Sequence, residues 1–363
     1  MRQPVSATRA QETVAPSTAV PSTAVPSTGV PSTGVPSTGV PSTGVPSPAV
    51  PTTGARAAVR QLPRAPGVYR FRDAGGHALY LGRATDLRRR VASYWGDLGD
   101  RPHLAPMVAR IARIEAVECA SEHEAAFLER SLLEERLLPW NRTAGGQESE
   151  VVVRLDRSPS RPGLSVTYPS ATRSAGPRDV AAEYFGPYLG GARVRLAVAG
   201  LLRVVPLHHT AENPAGLARA LAVRHGVAAG DRDALAGAAA AVLRREPAAV
   251  EALRRDLAAR RDEAARCEAF ELAARIHAEI EATDWVTAPQ RVAGCAAADA
   301  AVSGWARGLL TTFEIRSGRI RSWRISRASE RRAGLALAAT PQDWRDFADR
   351  NAALAAALAL VPA

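Results

Sequence analysis

The stretch Pro66-Gly67-Val68-Tyr69-Arg70-Phe71, followed after Asp73-Ala74-Gly75-Gly76 by His77-Ala78-Leu79-Tyr80-Leu81-Gly82, decides the fold. Both ends are rich in β-branched and aromatic residues and the middle is a turn sequence, which predicts a β-hairpin. Just downstream, Thr85 or Asp86 can cap a helix that turns Leu87 and Val91 inward, and Arg90 and Tyr94, four apart, share one side of it. A second helix is expected after Pro102, with Leu104, Val108 and Ile111 inward, then a third strand from Ile114 to Ala120. Ser121-Glu122-His123-Glu124 has the form of a capping box and opens a helix to about Leu138, with Ala125, Leu128 and Leu132 toward the core. Glu129 falls at the border of that apolar stripe, where an unpaired carboxylate is costly, so it should have a partner, and a metal ion is one candidate. Pro139 ends the helix and Trp140-Asn141 leads out.

Outward from this region the composition sets bounds. The 363 residues carry a formal charge of +11, and all 47 basic residues are arginine. Arginine keeps its proton near neutral pH and presents a planar fork that fits phosphate, so the excess suits a polyanionic partner; a genome biased towards G and C would also produce it. Cys119, Cys267 and Cys295 lack the paired spacing of zinc or iron-sulfur sites and read as unbridged thiols of a reducing compartment. No apolar run approaches roughly 20 residues, so neither a membrane span nor a signal peptide is indicated, and the cytoplasm is the expected location. From Thr13 to Thr53 a five-residue unit of the form Val-Pro-Ser-Thr-Gly repeats, with proline at every fifth position from Pro16 to Pro51. Such a sequence cannot form helix or interior strand and holds too little apolar surface to offset the entropy of ordering, so residues 1–56 read as a disordered arm.

After the helix, Val151 to Leu155, Leu164 to Tyr168 and Tyr184 to Tyr188 read as extended, Arg193 to Val204 as a helix, and Asn213 to Ala282 as almost wholly helical, with a helical hairpin folding at Glu268-Ala269-Phe270. Strands at Leu309 to Ile315 and Arg319 to Ile325, joined through Ser317-Gly318, precede a C-terminal helix from about Pro341.

With Gly67-Val68-Tyr69 and Tyr80-Leu81-Gly82 followed in order by Arg90, Tyr94, Glu129 and Asn141, the chain resembles the GIY-YIG nuclease family, and more closely its UvrC and Cho-like excinuclease branch. The resemblance covers roughly Leu62 to Leu207 and returns from about Arg254 to Ala282. It implies an α+β nuclease domain, a small three-stranded antiparallel sheet flanked by helices, that hydrolyses a DNA phosphodiester. Glu129, as the site's only carboxylate, would hold one Mg2+ or Mn2+, since hard cations take oxygen ligands and retain waters. Arg90 would hold the phosphate; such a donor in a dry site is typically worth about 3 to 4 kcal/mol. Tyr80 is the expected base, with Tyr69 orienting the water and Tyr94 contacting the phosphate or leaving group; Tyr69 as base is the alternative. A phenol needs a nearby cation to lower its pKa from about 10, and Arg83, where the family usually has lysine, is the expected cation. Asn141 would fix the helix end.

Phe270-Glu271-Leu272-Ala273-Ala274-Arg275 resembles the UVR motif through which UvrC-like proteins meet UvrB, and implies partner contacts by Phe270, Glu271, Ala274 and Arg275. The cysteine cluster of full UvrC is missing after His209-Thr210, and too little chain follows for a second nuclease site or a helix-hairpin-helix pair, so a single incision is expected. The expected organisation is an arm (1–56), the nuclease domain (57–146), a UvrC-like extension (147–210), a helical region with the UVR hairpin (211–288) and a small β-hairpin module (289–363). The implied function is a metal-dependent endonuclease of nucleotide excision repair, acting on damaged duplex DNA with a UvrB-like partner. The alternatives are a non-catalytic DNA-binding or UvrB-docking adaptor and a GIY-YIG nuclease outside repair.

Overall fold

The computed structural model describes residues 53–99, 101–142, 149–169, 182–290 and 299–360. Most of the repeat arm, through residue 52, and Cys295 lie outside them. A short helix α1 (Thr53–Ala58) falls partly within the expected arm. The hairpin is β1 (Gly67–Arg72) and β2 (Ala78–Ala84), and β3 (Arg113–Glu118) pairs antiparallel on the other side of β1, giving the order β2-β1-β3. Between β2 and β3 lie α2 (Leu87–Ala92), capped by the Asp86 carboxylate accepting the Arg89 N–H at 2.8 Å, and one turn of helix, α3 (Ala105–Val108). In α3 the sequence reading is corrected: Met107, not Val108, is buried with Leu104 and Ile111, because a 3-10 turn at Pro102–Leu104 shifts the phase of the inward face. Helix α4 (Glu122–Glu135) starts where the capping box placed it: Ser121 accepts the Glu124 N–H at 3.1 Å. The Glu124 carboxylate accepts from the Ala120 N–H, and the helix stops three residues short of Leu138.

Strand alternation gives the sheet two different faces. Tyr69 and Phe71 pack with Leu87, Val91, Tyr94 and Met107 on one; Val68, Leu81 and Val117 pack with Leu128 and Leu132 of α4 on the other. A second sheet, β4 (Glu150–Asp156), β5 (Gly163–Thr167) and β6 (Ala182–Leu189), has the order β5-β4-β6. It shares a core with α5 (Gly191–Val204), α7 (Arg232–Leu243), α8 (Pro247–Arg266) and α9 (Phe270–Thr287); α6 (Gly216–His225) precedes α7. Helix α5 is tied to α9 by Arg203, which donates two 2.7 Å bonds to the fully buried Glu279. The α8–α9 hairpin bends at Glu268, whose φ of 56° is left-handed.

The C-terminal part is larger than the expected β-hairpin. A strand missed in the sequence, β7 (Ala300–Ala306), pairs with β8 (Leu309–Arg316), which pairs with β9 (Arg319–Arg327), and two helices follow, α10 (Glu330–Ala338) and α11 (Arg345–Ala359). Nor is it separate from the β2-β1-β3 sheet. Val302, Phe313, Ile320, Trp323 and Phe347 lie in one core with Val68, Leu81 and Val117. Arg70 stacks 3.9 Å from the Trp323 ring while donating to Glu115, whose other oxygen accepts from Arg72 at 2.7 Å. The Asn351 side chain of α11 accepts the Glu118 N–H at 2.7 Å and donates to its carbonyl. Among the described residues no helix is long and apolar enough to cross a membrane.

One buried titratable group joins the first two sheets. His123 of α4 is fully buried, and its Nε2 accepts the Leu189 N–H of β6 at 3.2 Å. Burial, aided by the Arg245 charge, pushes its pKa down to about 3. The unfolded chain takes up this proton near pH 6.5 while the folded chain does not, so stability present above that pH is lost as pH falls toward 3. Between pH 6.5 and 5 the wild type should lose about 1 to 2 kcal/mol through this group, at roughly 1.4 kcal/mol per pH unit. Urea denaturation at both pH values should show that loss, and His123→Gln should lack it; an equal loss in both proteins would refute the assignment.

Candidate active site

β2 is an edge strand, and the expected site residues gather along it. Register opposes Phe71 to Tyr80 and Tyr69 to Gly82, so the two tyrosines project from the same face, their ring centroids 6.2 Å apart. Tyr94 comes in from the turn after α2, 5.9 Å from the Tyr69 ring and 6.1 Å from that of Tyr80. Two glycines make the approach feasible. A Cβ on Gly82 would stand 2.5 Å from the Tyr69 hydroxyl and 2.8 Å from the Tyr80 ring, and one on Gly67 would stand 2.3 Å from the Val117 carbonyl across the sheet.

The three phenols are not equivalent. Tyr69 and Tyr94 are 0% and 1% exposed, and their hydroxyls lie 2.7 Å apart. Neither ring reaches solvent, so the expected contact of Tyr94 with a phosphate and the expected water contact of Tyr69 are both corrected. Their oxygens bond each other inside the core and also engage Arg90, from Tyr69, and Tyr80, from Tyr94. Tyr80 alone of the three is partly exposed. Its pKa is raised, first by burial, then by Tyr94 and by the Glu129 charge, with Arg90 acting in the opposite sense. Arg90, on α2, keeps its charge more firmly than usual: burial works against it, but the oxygens of Tyr69, Tyr94 and Tyr80 outweigh that cost.

Glu129 reaches the same edge from α4, across the sheet, and Arg83 Nε lies 3.4 Å from its carboxylate. This corrects the role expected of Arg83. Arg90 is the cation that opposes the rise in the Tyr80 pKa, while Arg83 lies against Glu129, because odd and even positions of β2 point to opposite faces. Asn141 secures the strand itself, accepting the Leu81 N–H at 3.0 Å and donating to the Leu81 carbonyl at 2.8 Å.

Beside these residues opens a cleft of about 500 Å3 whose charged lining is Arg83, Arg89, Arg90 and Arg101 together with Asp86 and Glu122. Arg89 and Arg101 were missed in the sequence. Arg89 sits inside the run Arg88-Arg89-Arg90, which gives no phase by itself, and Arg101 reaches the cleft only because the chain folds back to place its guanidinium 5.3 Å from the Tyr94 ring. Four arginines in one concavity suit a phosphate chain. Among the described residues no three His, Cys, Asp or Glu side chains are grouped to hold a metal. A single carboxylate such as Glu129 fits a hydrated hard cation that takes its other oxygens from water and phosphate, and does not fit a closed protein cage.

Comparison with known proteins places this geometry. Residues 65–141 match the family model of the UvrC-like GIY-YIG domain. The chain is 34% identical over 155 residues to the UvrABC system protein C of Geobacter metallireducens, covering 42% of this chain and 24% of that protein. It is also 34% identical over 154 residues to that of Trichlorobacter lovleyi, and 37% identical over 131 residues to that of Pseudomonas syringae pv. tomato, with 24% and 20% of those proteins covered. The match thus spans about a quarter or less of the length of these curated relatives.

The buried hydroxyl pair yields a stability test. Tyr69→Phe or Tyr94→Phe alone removes the bond between the two buried hydroxyls and should cost about 1 to 3 kcal/mol. The double variant removes both and should cost less than the sum of the singles, a coupling measured by urea midpoints in a double-mutant cycle. Strict additivity would mean that the two oxygens do not depend on each other.

Proposed function

We propose that this chain, whose residues 65–141 carry the UvrC-like GIY-YIG domain, is a divalent-metal-dependent DNA endonuclease that makes a single incision in nucleotide excision repair. The observation that carries the reading is the meeting of three groups at one strand edge: the Tyr80 phenol, with the Glu129 and Arg90 charges both acting on it, beside a cleft of four arginines. Hydrolysis of a phosphodiester needs a deprotonated nucleophile, neutralisation of the phosphate and relief of charge on the departing oxygen.

Tyr80 is the residue placed to take the proton from water, since it alone of the three phenols reaches solvent. Its raised pKa makes it a weak base until more positive charge stands near. Arg90, firmly charged, binds the phosphate and counters the charge that develops there. Tyr69 and Tyr94 hold Arg90 and Tyr80 in position from within the core. Glu129 would hold Mg2+ or Mn2+ once Arg83, whose side chain is 39% exposed, swings aside. Such an ion supplies the missing positive charge and polarises the phosphate. Arg89 and Arg101 hold the flanking strand.

The UVR-like segment supports a UvrB-like partner. Phe270, 67% exposed, opens α9, and Glu271, Ala274 and Arg275 are exposed on the same helix. A neighbouring hollow of about 480 Å3 is lined by Ala259, Ala264, Leu272 and Ile276. An exposed aromatic beside an apolar hollow is the form of an interface anchor.

Two measurements test these assignments. With Mg2+, the protein should nick supercoiled plasmid; Arg90→Ala and Glu129→Gln should each lower the rate about a hundred- to a thousandfold. Equal background in all three proteins would favour the non-catalytic adaptor. A pull-down with UvrB should succeed with the intact chain and weaken at least tenfold with Phe270→Ala, a loss of about 1.4 kcal/mol or more; failure of the intact chain to bind would remove the partner assignment.

A further inference from the structure

The arginines of the C-terminal sheet fall into two groups. Arg319 donates two 2.8 Å bonds to Glu150, Arg321 lies 3.4 Å from Glu134, and Arg324 lies 2.6 Å from Glu314. Others have no carboxylate partner among the described residues: Arg316, at the far end of β8, and four more, Arg307 in the turn between β7 and β8, Arg327 at the end of β9, and Arg331 and Arg332 in the first turn of α10, all exposed. The fold brings these four to one end of the sheet. Leu309 pairs with Arg327, and the Ala328 N–H donates to the Gly308 carbonyl at 3.0 Å, which sets the Arg307 turn beside the strand end from which α10 departs. Arg327 also lines a hollow of about 450 Å3 with Arg113 of β3. Arg113 is 3.6 Å from Glu115, a carboxylate already holding shorter bonds from Arg70 and Arg72, so it adds positive charge to that rim. Glu330 is the one carboxylate in the stretch from Arg327 to Arg332, and it is exposed.

We propose that Arg307, Arg327, Arg331 and Arg332 form a second binding surface for the phosphate backbone of duplex DNA, outside the cleft of Arg83, Arg89, Arg90 and Arg101. The proposal rests on the reading of the chain as a DNA-cutting protein and assigns part of its substrate affinity to the C-terminal module. Four guanidinium groups around the single carboxylate of Glu330 leave a net positive charge whose members repel one another, and a polyanion removes that cost while occupying their unused donors. Where the same module meets protein, its arginines are matched one by one with glutamates; here they are not. A surface that grips backbone in this way carries no sequence preference, which suits incision at sites set by damage and not by base sequence.

The test is the salt dependence of binding by the full chain to a short fluorescent duplex, read by anisotropy. Each phosphate contact contributes about 0.9 to the slope of log K against log salt. R307Q/R327Q/R331Q/R332Q should therefore flatten the slope by about 3 to 4 and raise KM for plasmid nicking, with the rate at saturating DNA unchanged. The corresponding four-lysine variant keeps the charge and should keep the wild-type slope. Unchanged slope in the glutamine variant, with nicking intact, would overturn the second surface alone and leave the patch to an acidic protein partner. Failure of the wild type both to bind and to nick DNA would overturn this proposal together with the functional reading beneath it.

Discussion

The structure depends on the burial of strand β1 on both of its faces. Val68, Tyr69 and Phe71 are all fully buried, and because alternate residues point in opposite directions they pack into two different cores. One is the aromatic cluster behind the candidate site. The other is shared by α4 and the C-terminal sheet, and it is sealed by Arg70, held between the Trp323 ring and the Glu115 carboxylate. A strand constrained in this way leaves little freedom to the edge strand beside it, and β2, pinned further by Asn141, holds Tyr80 and Arg83 at fixed heights.

That constraint matters because, at the candidate site, opposing charges act on a single phenol. Glu129 comes from a helix on one side of the sheet and Arg90 from a helix on the other, and they meet at β2 because it is the edge. Tyr69 and Tyr94 contribute from inside. Their hydroxyls satisfy each other where water cannot, and their oxygens favour the charged form of Arg90. The arrangement is poised rather than complete: the Tyr80 proton is held more tightly than in water, and added positive charge near Glu129 is what would loosen it.

A chain whose only basic residue is arginine uses one side chain for two purposes. Against buried carboxylates such as Glu115 and Glu279, the guanidinium fork is a structural bolt, and its several donors satisfy both oxygens of the acid. In the cleft beside β2 the same side chain is gathered four at a time in a solvent-filled concavity. Composition cannot tell these uses apart, since the distinction lies in which carboxylates the fold brings within reach.

Local pattern and motif order determined the hairpin, a cap at Thr85 or Asp86 that the structure resolves to Asp86, the cap at Ser121, the helical hairpin at Glu268 to Phe270 and the set of residues from Tyr69 to Asn141 that converge on one edge. These are legible because they rest on short-range chemistry: alternation, a side-chain oxygen within three residues of a helix start, a break where a left-handed residue falls. The phase of α3 was misread because a 3-10 turn changes the residue count per turn; β7 was missed because burial along Ala300 to Ala306 does not alternate, and α10 because Glu330 to Ala338 contains Gly334 and buries only Ala333. Only the tertiary structure decided which phenol reaches solvent, that Arg83 lies against Glu129 while Arg90 acts on all three phenols, that Arg89 and Arg101 enter the cleft, and that the C-terminal sheet completes the core behind β1. Each of these is a matter of burial or of contact between residues distant in sequence, and exposure belongs to the packed assembly of elements, not to any one of them.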